Sequence, residues 1–436
     1  MGSPETKRLP FSFWPLNVAQ FLGAMNDNAY RWVMAWALAT RASVATKSGA
    51  GEAVVQVNET ALFIAGAVFA VPFILFSSAA GVLADRFSKR KIIVIVNFAA
   101  VVVMALGLAA FLSDNPFLIY AVLFLMAAQS AFFGPSKMGI LPELVPPEKL
   151  SFANGLMESF TFLAIILGTV GGGWLYKTYG TDVAGASTFT CWRASAVCTV
   201  VAAAGFVLSF LVKDTGARAA EKRATPYFWK DVARNIRSCR RDRYLLLSLF
   251  AIAFFLFLGA FVQLNVAPYG TNVMGLSKPA ATNLFLALAL GIGVGSFLAG
   301  KISGRTVEIG LVPVGVLLVS GMLMLLAFPF HRISALASVT LRLGVGGHSF
   351  VASLPTLLTV LVIFLLGVGG GFYIVPLQTF LQQHAPKRDR GELIATSSFL
   401  SFCGVGLASA LLLGLNALGL GPAGRFFLFG LATIAL

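Results

Sequence analysis

The chain has 436 residues, 58% of them hydrophobic and 11% charged, with a mean hydropathy of +0.86. A soluble domain carries roughly 25% charged residues, and no soluble globule of this length could hide so much apolar surface, so a water-soluble fold is excluded. The net charge of +15 would suit nucleic acid, but the positions of the basic residues account for it through the positive-inside bias of membrane proteins, and no nucleic-acid partner is expected.

Apolar runs recur along the whole chain, long enough to cross a hydrocarbon layer about 30 Å thick as helices. The first, from Trp14 to Thr40, follows Lys7 and Arg8 and ends in Ala37-Leu38-Ala39, the outline of a signal peptide. Its length and its polar centre, Asn26-Asp27-Asn28, are wrong for a short, uniformly apolar signal core, so it reads as a retained first span. Breaks of charge, Pro and Gly then delimit spans at 60–83, 92–112, 116–135, 152–176 and 191–212. After a basic stretch come spans at 244–268, 280–300, 309–330, 354–379 and 392–418, and a last apolar run from Arg425 to Leu436. That run gives about 18 Å of helix, short of a bilayer, so the twelfth span is expected to be truncated. The expected fold is an all-α polytopic membrane protein of twelve helices. It divides into an N-terminal six-helix half (1–212), a cytoplasmic basic linker with an interfacial helix (213–243) and a C-terminal six-helix half (244–436).

With the N-terminus inside, 23 of the 32 Lys and Arg fall on the cytoplasmic side, eight fall opposite and Arg31 lies within the first span. This bias fixes the expected orientation. Two eight-residue segments, Leu83-Ala84-Asp85-Arg86-Phe87-Ser88-Lys89-Arg90 and Leu298-Ala299-Gly300-Lys301-Ile302-Ser303-Gly304-Arg305, each follow the second span of a half. Their weak similarity suits a duplicated six-helix unit. From Pro226 to Arg243, Phe228, Trp229, Val232 and Ile236 share one helical side, and Lys230, Arg234, Arg237 and Arg241 another. Such a helix either tethers the halves or meets anionic headgroups.

An ionisable group within hydrocarbon is costly, so charges inside spans are the strongest functional flags. Asn17, Gln20, Asp27, Asn28 and Arg31 form a polar stripe on the first span, where Asp27 and Arg31, four apart, could also simply pair. Ser151, Asn154, Glu158 and Thr161 make a second polar face on the fifth, and two such faces imply a shared polar cavity. Lys137 stands at the cytoplasmic end of the fourth apolar run, where snorkelling is its default role. Gly168-Thr169-Val170-Gly171-Gly172-Gly173, the glycines at 291, 293 and 295, and those at 369–371 read as close helix packing. Cys191, Cys198, Cys239 and Cys403 have no CxxC or metal spacing and read as reduced packing residues, with no metal or cofactor site implied. The one enzyme-like spacing, His384 to Asp389, resembles the His-x4-Asp of glycerolipid acyltransferases but lies in a short basic loop without a fold to hold an acyl donor. No nucleotide-binding loop or nucleophile elbow occurs, so no catalytic residues are assigned.

Gly81-Val82-Leu83-Ala84-Asp85-Arg86-Phe87-Ser88-Lys89-Arg90-Lys91 resembles the loop 2–3 signature of the major facilitator superfamily. Ser88 stands where that signature has a second glycine, and Gly300 replaces the aspartate in the second copy. The resemblance implies a gating role for Gly81, Asp85, Arg86, Lys89 and Arg90, with Asp85 and its arginines locking loop and helix ends in one of two states. Three further segments, Gln20 to Asn28, Gly134 to Leu141 and Ala153 to Glu158, are similar to bacterial lysophospholipid transporters. That similarity implies a flippase-like carrier, a monomer of the bacterial inner membrane, returning lysophospholipids to the cytoplasmic leaflet for reacylation. It also implies an acyltransferase/acyl-ACP synthetase as partner or as a domain fused beyond residue 436. Gln20, Asp27, Asn28, Arg31, Lys137, Asn154 and Glu158 would then meet the headgroup, with Phe-rich walls, from 39 Phe, around one acyl chain. Two other readings stay open: a proton-coupled exporter of drugs or small solutes, and a scaffold that docks an acyltransferase without transport.

Overall fold

A computed structural model describes residues 9–434, apart from 42–43, 48–52, 57–58, 181–187, 217–220, 222–227, 241, 277, 304–306, 329–339 and 346–347. Lys7, Arg8, Arg241, Pro226 and the Gly304-Arg305 end of the repeat lie outside the described residues.

In lipid the backbone must satisfy its own hydrogen bonds, and the chain answers with helices. These are α1 (Phe13–Arg41), α2 (Glu59–Arg86), α3 (Lys89–Leu112), α4 (Pro116–Leu144), α5 (Leu150–Tyr179) and α6 (Trp192–Ser209). There follow the short α7 (Phe228–Cys239), then α8 (Arg243–Asn272), α9 (Lys278–Ile302), α10 (Leu311–Leu326), α11 (Leu354–His384), α12 (Arg390–Ala417) and α13 (Pro422–Ile434). Among the described residues, nine helices are long and apolar enough to cross a membrane, and α10 and α13 are shorter apolar ones. With α1, whose polar stripe lowers its hydropathy, twelve helices match the twelve expected spans, and α7 is the amphipathic linker helix.

Two differences from the expected spans stand out. The fourth does not stop at Pro135: α4 runs on to Leu144 with Pro135 and Pro142 inside it, because neighbouring groups in a bundle can satisfy the backbone a proline frees. Two antiparallel hairpins also occur between spans, β1 (Val44–Lys47) with β2 (Ala53–Gln56) and β3 (Thr340–Val345) with β4 (His348–Ser353), paired Val44 to Gln56 and Thr340 to Ser353.

The chain clusters into two compact units. The first holds Met1–Ala153, Ala164–Leu249 and Leu381–Phe402, the second Asn154–Leu163, Phe250–Phe380 and Cys403–Leu436. In the first unit α2 packs on α4, α3 on α4 and α6, and α1 on α6. Its core gathers Tyr30, Met34, Met104, Phe111 and Met126. Gly107 leaves room for the Tyr30 hydroxyl, which bonds Ser195 at 3.0 Å. Gly168 and Gly172 of α5 lie against the backbone of α1 at Met25 and Ala29, where a Cβ would collide, which is the close packing their spacing predicts. In the second unit Gly291 and Gly295 of α9 meet Phe364 and Val368 of α11, and Gly371 returns the contact at Gly295 and Ser296. Its core holds Phe261, Tyr269, Leu323, Ile363 and Phe426.

Candidate functional site

Lipid around these spans makes unpaired polar atoms expensive, so the few polar side chains inside them find partners on other helices. In the first unit two groups join α1 to α4. Gln20 Nε2 donates to Asn17 at 3.1 Å, and Lys137 Nζ approaches Gln20 Oε1 at 3.4 Å. Lys137 also lies 5.8 Å from the Phe133 ring centroid. It therefore sits within α4 beside α1, rather than snorkelling at the end of a span. One to two turns along α1, the Asp27 carboxylate accepts from Ser130 Oγ and, at 3.5 Å, from Gln129 Nε2.

Asp27 and Arg31 do not choose each other as hydrogen-bond partners. Arg31 donates to Asn28 Oδ1 at 3.1 Å and stacks 5.0 Å from the centre of the Phe69 ring, and Asn28 Nδ2 donates to Ala24 O at 2.8 Å. A carboxylate that accepts from neutral groups while a guanidinium lies over an aromatic face leaves both charges with directed surfaces still to offer a ligand. Gln129 and Ser130 are absent from the sequence-derived set. Their signal is a neutral polar pair in the middle of an apolar run, weaker than a charge.

Asn154 and Glu158 of α5 belong to the second unit, where both reach α11. Asn154, fully buried, donates to Thr379 Oγ1 at 3.0 Å, and Glu158 accepts from Gln378 Nε2 at 2.8 Å. Ser159 Oγ donates to Gly293 O of α9 at 2.7 Å. Gln378 and Thr379 are further residues the spacing on α5 alone does not reveal, since a partner on a distant span leaves no local pattern.

The loop 2–3 segment makes a different arrangement. The Asp85 carboxylate accepts from Gly391 N at 2.7 Å and Glu392 N at 3.1 Å, and so caps the N-terminus of α12. An anion at that end meets unsatisfied N–H groups and the positive pole of the helix dipole. Gly81 and Gly391 permit the approach, since a Cβ on Gly81 would stand 2.5 Å from Ala395 Cβ and one on Gly391 2.7 Å from Asp85 Oδ1. Lys89 pairs with Glu143 of α4 at 2.9 Å, with 1% and 5% of the side chains exposed. Arg86 lies 5.2 Å from the Phe87 ring and Arg90 donates to Phe210 O at 2.9 Å. Ser88 Oγ donates to Asp214 at 2.5 Å, which holds that carboxyl below the usual carboxylate range. The basic residues thus bind several elements of the unit, and Asp85 caps a helix end.

The linker helix α7 joins the same region. Ser78 of α2 donates to Asp231 at 3.2 Å, Arg234 bridges Asp231 at 2.9 Å and Glu392 at 3.2 Å, and Asn235 donates to Thr396 at 3.0 Å. Its apolar side buries Val232, and Asp231 and Glu392 give Arg234 two carboxylates at once. Among the described residues no group of three or more His, Cys, Asp or Glu could hold a metal ion.

Among the described residues, nine helices long and apolar enough to cross a membrane, two shorter apolar helices and α1, with charged side chains held between helices of each unit, make this a polytopic membrane protein. The model of the Major Facilitator Superfamily matches residues 16–410, and the chain belongs to that family. Among curated relatives it is 29% identical over 359 residues to the lysophospholipid transporter LplT of Enterobacter sp. (strain 638), covering 80% of this chain and 78% of the relative. It is 28% identical over 430 residues to LplT of Escherichia coli O139:H28, covering 96% and 93%. The resemblance first seen in segments of the N-terminal half therefore extends along most of the chain. These relatives are transporters, and so is this protein, rather than an enzyme. Among solved structures, FucP in the outward conformation aligns with a TM-score of 0.71 at 14% identity over 97% of this chain and 96% of its own. A bacterial homologue of the iron transporter ferroportin aligns with 0.64 at 16% identity, over 97% and 96%. At these identities the likeness shows the fold alone.

Proposed function

We propose that this protein carries lysophospholipids, flippase-like, to the cytoplasmic leaflet of the bacterial inner membrane for reacylation, with its N-terminus in the cytoplasm and as a monomer. The reading is supported by the curated relatives and, most of all, by one observation: Asp27 and Arg31 sit within a span and make their hydrogen bonds with neutral groups, Arg31 lying also over an aromatic ring. In the first unit Lys137 and Arg31 suit a phosphate and Gln20, Asp27 and Asn28 hydroxyl or amine groups, and in the second unit Asn154 and Glu158 suit hydroxyl or amine groups as well. Gly81, Asp85, Arg86, Lys89 and Arg90 serve gating, with Asp85 releasing the α12 end when the state changes. An acyltransferase or acyl-ACP synthetase, separate or fused, consumes the product.

Uptake of lysophospholipid into spheroplasts tests this. Asp27→Ala and Glu158→Ala are each expected to lower uptake about tenfold or more, the order lost when a buried polar group loses its partner. Undiminished uptake at normal protein levels contradicts the assignment. A second reading, proton-coupled export of drugs or small solutes, draws on the neutral donors around Asp27, which suit a carboxyl that gains and loses a proton. It predicts that transport collapses with the proton gradient, whereas lysophospholipid carriage continues without it.

A further inference from the structure

The second unit holds a partly open apolar pocket among α8, α9, α10, α11 and α13, with about 490 Å³ of unfilled space when the part open to its surroundings is counted. Its walls include Leu258, Gly259, Val262, Ile292, Leu366 and Gly370. The two polar residues that border it are already satisfied: the Tyr373 hydroxyl donates to Ala251 O at 3.0 Å and Thr433 Oγ1 to Phe429 O at 2.7 Å. The pocket therefore offers carbon and almost nothing else. Helix bundles otherwise pack as tightly as organic crystals, and an apolar space of this size has no use for water, which would need several polar partners there.

Its surroundings indicate the occupant. Gln378, hydrogen-bonded to Glu158, lies five residues beyond Tyr373 on the same helix, about 8 Å along its axis at 1.5 Å per residue. One turn after Glu158 on α5, Phe162 packs against the same apolar cluster that supplies Leu258, Val262, Ile292 and Leu366 to the pocket wall. Within one unit, then, a buried carboxylate and a half-buried amide stand at one end and an apolar pocket begins within two helical turns. That is the polarity profile of a single-chain amphiphile, head to tail.

We propose that this pocket is the seat of the acyl chain of the lysophospholipid, and that its length sets which chains are carried. The proposal rests on the lysophospholipid reading above. Gly259 gives the means to test it, because a Cβ there meets nothing within 4 Å: Gly259→Leu adds bulk to open space, not to a packed wall. Leu366→Ala, in the α11 wall, enlarges the space.

The experiment compares uptake of decanoyl and stearoyl lysophosphatidylethanolamine into spheroplasts for the full chain and both variants at matched protein levels. Gly259→Leu is expected to lower the stearoyl rate about tenfold relative to the decanoyl rate, and Leu366→Ala to move the ratio the other way, in keeping with the discrimination a few methylenes give in an apolar pocket. If the unaltered protein moves both lipids and the ratio is the same in both variants, the pocket holds a bilayer chain or packing space and the proposal is overturned while the transport reading stands. If the unaltered protein moves neither lipid, the transport reading fails and this proposal with it. Should Gly259→Leu not accumulate, Leu366→Ala alone decides, through the presence or absence of the opposite shift.

Discussion

Lys89 and Glu143 show how a side chain that looks like loop charge becomes structural. Their ion pair is almost fully removed from solvent, so its energetics are dominated by desolvation and by what is left when one partner goes. Lys89→Met is expected to destabilise the protein by about 3–5 kcal/mol, because Glu143 would stay buried without its counter-ion, and a second substitution, Glu143→Leu, should recover most of that loss. Thermal unfolding in detergent measures both, and a double variant no more stable than Lys89→Met would refute the account. Residues with a formal charge inside a span, such as Asp27, Arg31 and Glu158, were legible in the sequence because lipid makes any charge conspicuous. Gln129, Ser130, Gln378 and Thr379 were not, since a neutral polar group carries little cost that a single hydrogen bond does not offset. Partner choice was likewise hidden. The four-residue spacing of Asp27 and Arg31 suggests a pair, but Ser130 and the Phe69 ring, brought by other helices, win both groups.

At the scale of elements, α7 is more than a strap between halves. Its Asp231, Arg234 and Asn235 bond to α2 and α12 within one unit, next to the helix end that Asp85 caps. Arg234→Ala together with Asn235→Ala should therefore loosen α7 itself. Amide hydrogen exchange across Phe228–Cys239 is expected to speed up about tenfold or more, as local opening becomes cheaper when side-chain ties are lost. Unchanged protection would mean that Val232 and its apolar neighbours hold the helix alone. The helix itself was readable from its two-sided pattern, whereas its docking was not, since that depends on Glu392 and Thr396 more than 150 residues away. Element ends were the least legible feature. Pro135 marks an expected stop, yet α4 continues for two and a half more turns to Leu144, which is why Lys137 turns out to face α1 from within a helix. Of the glycines read as packing, Gly168, Gly172, Gly291, Gly295 and Gly371 do lie against a neighbouring helix, whereas Gly171 and Gly173 have open space where a Cβ would stand.

For the whole molecule, apolar periodicity and the loop 2–3 signature pointed to the twelve-helix class, and the family match over residues 16–410 supports it independently of those local motifs. The proposed cargo, a lysophospholipid, rests on the curated relatives and draws support from charged groups within spans for a head and an apolar pocket for a tail. The claim that matters most is that lysophospholipid crosses the bilayer through this protein. Reconstitution into liposomes, with lysophospholipid loaded in one leaflet and its exposure on the other followed in time, measures that directly. The expected result is protein-dependent movement that persists without a proton gradient and falls about tenfold or more in Asp27→Ala. Movement no faster than in protein-free liposomes, or equal in the variant, would contradict it.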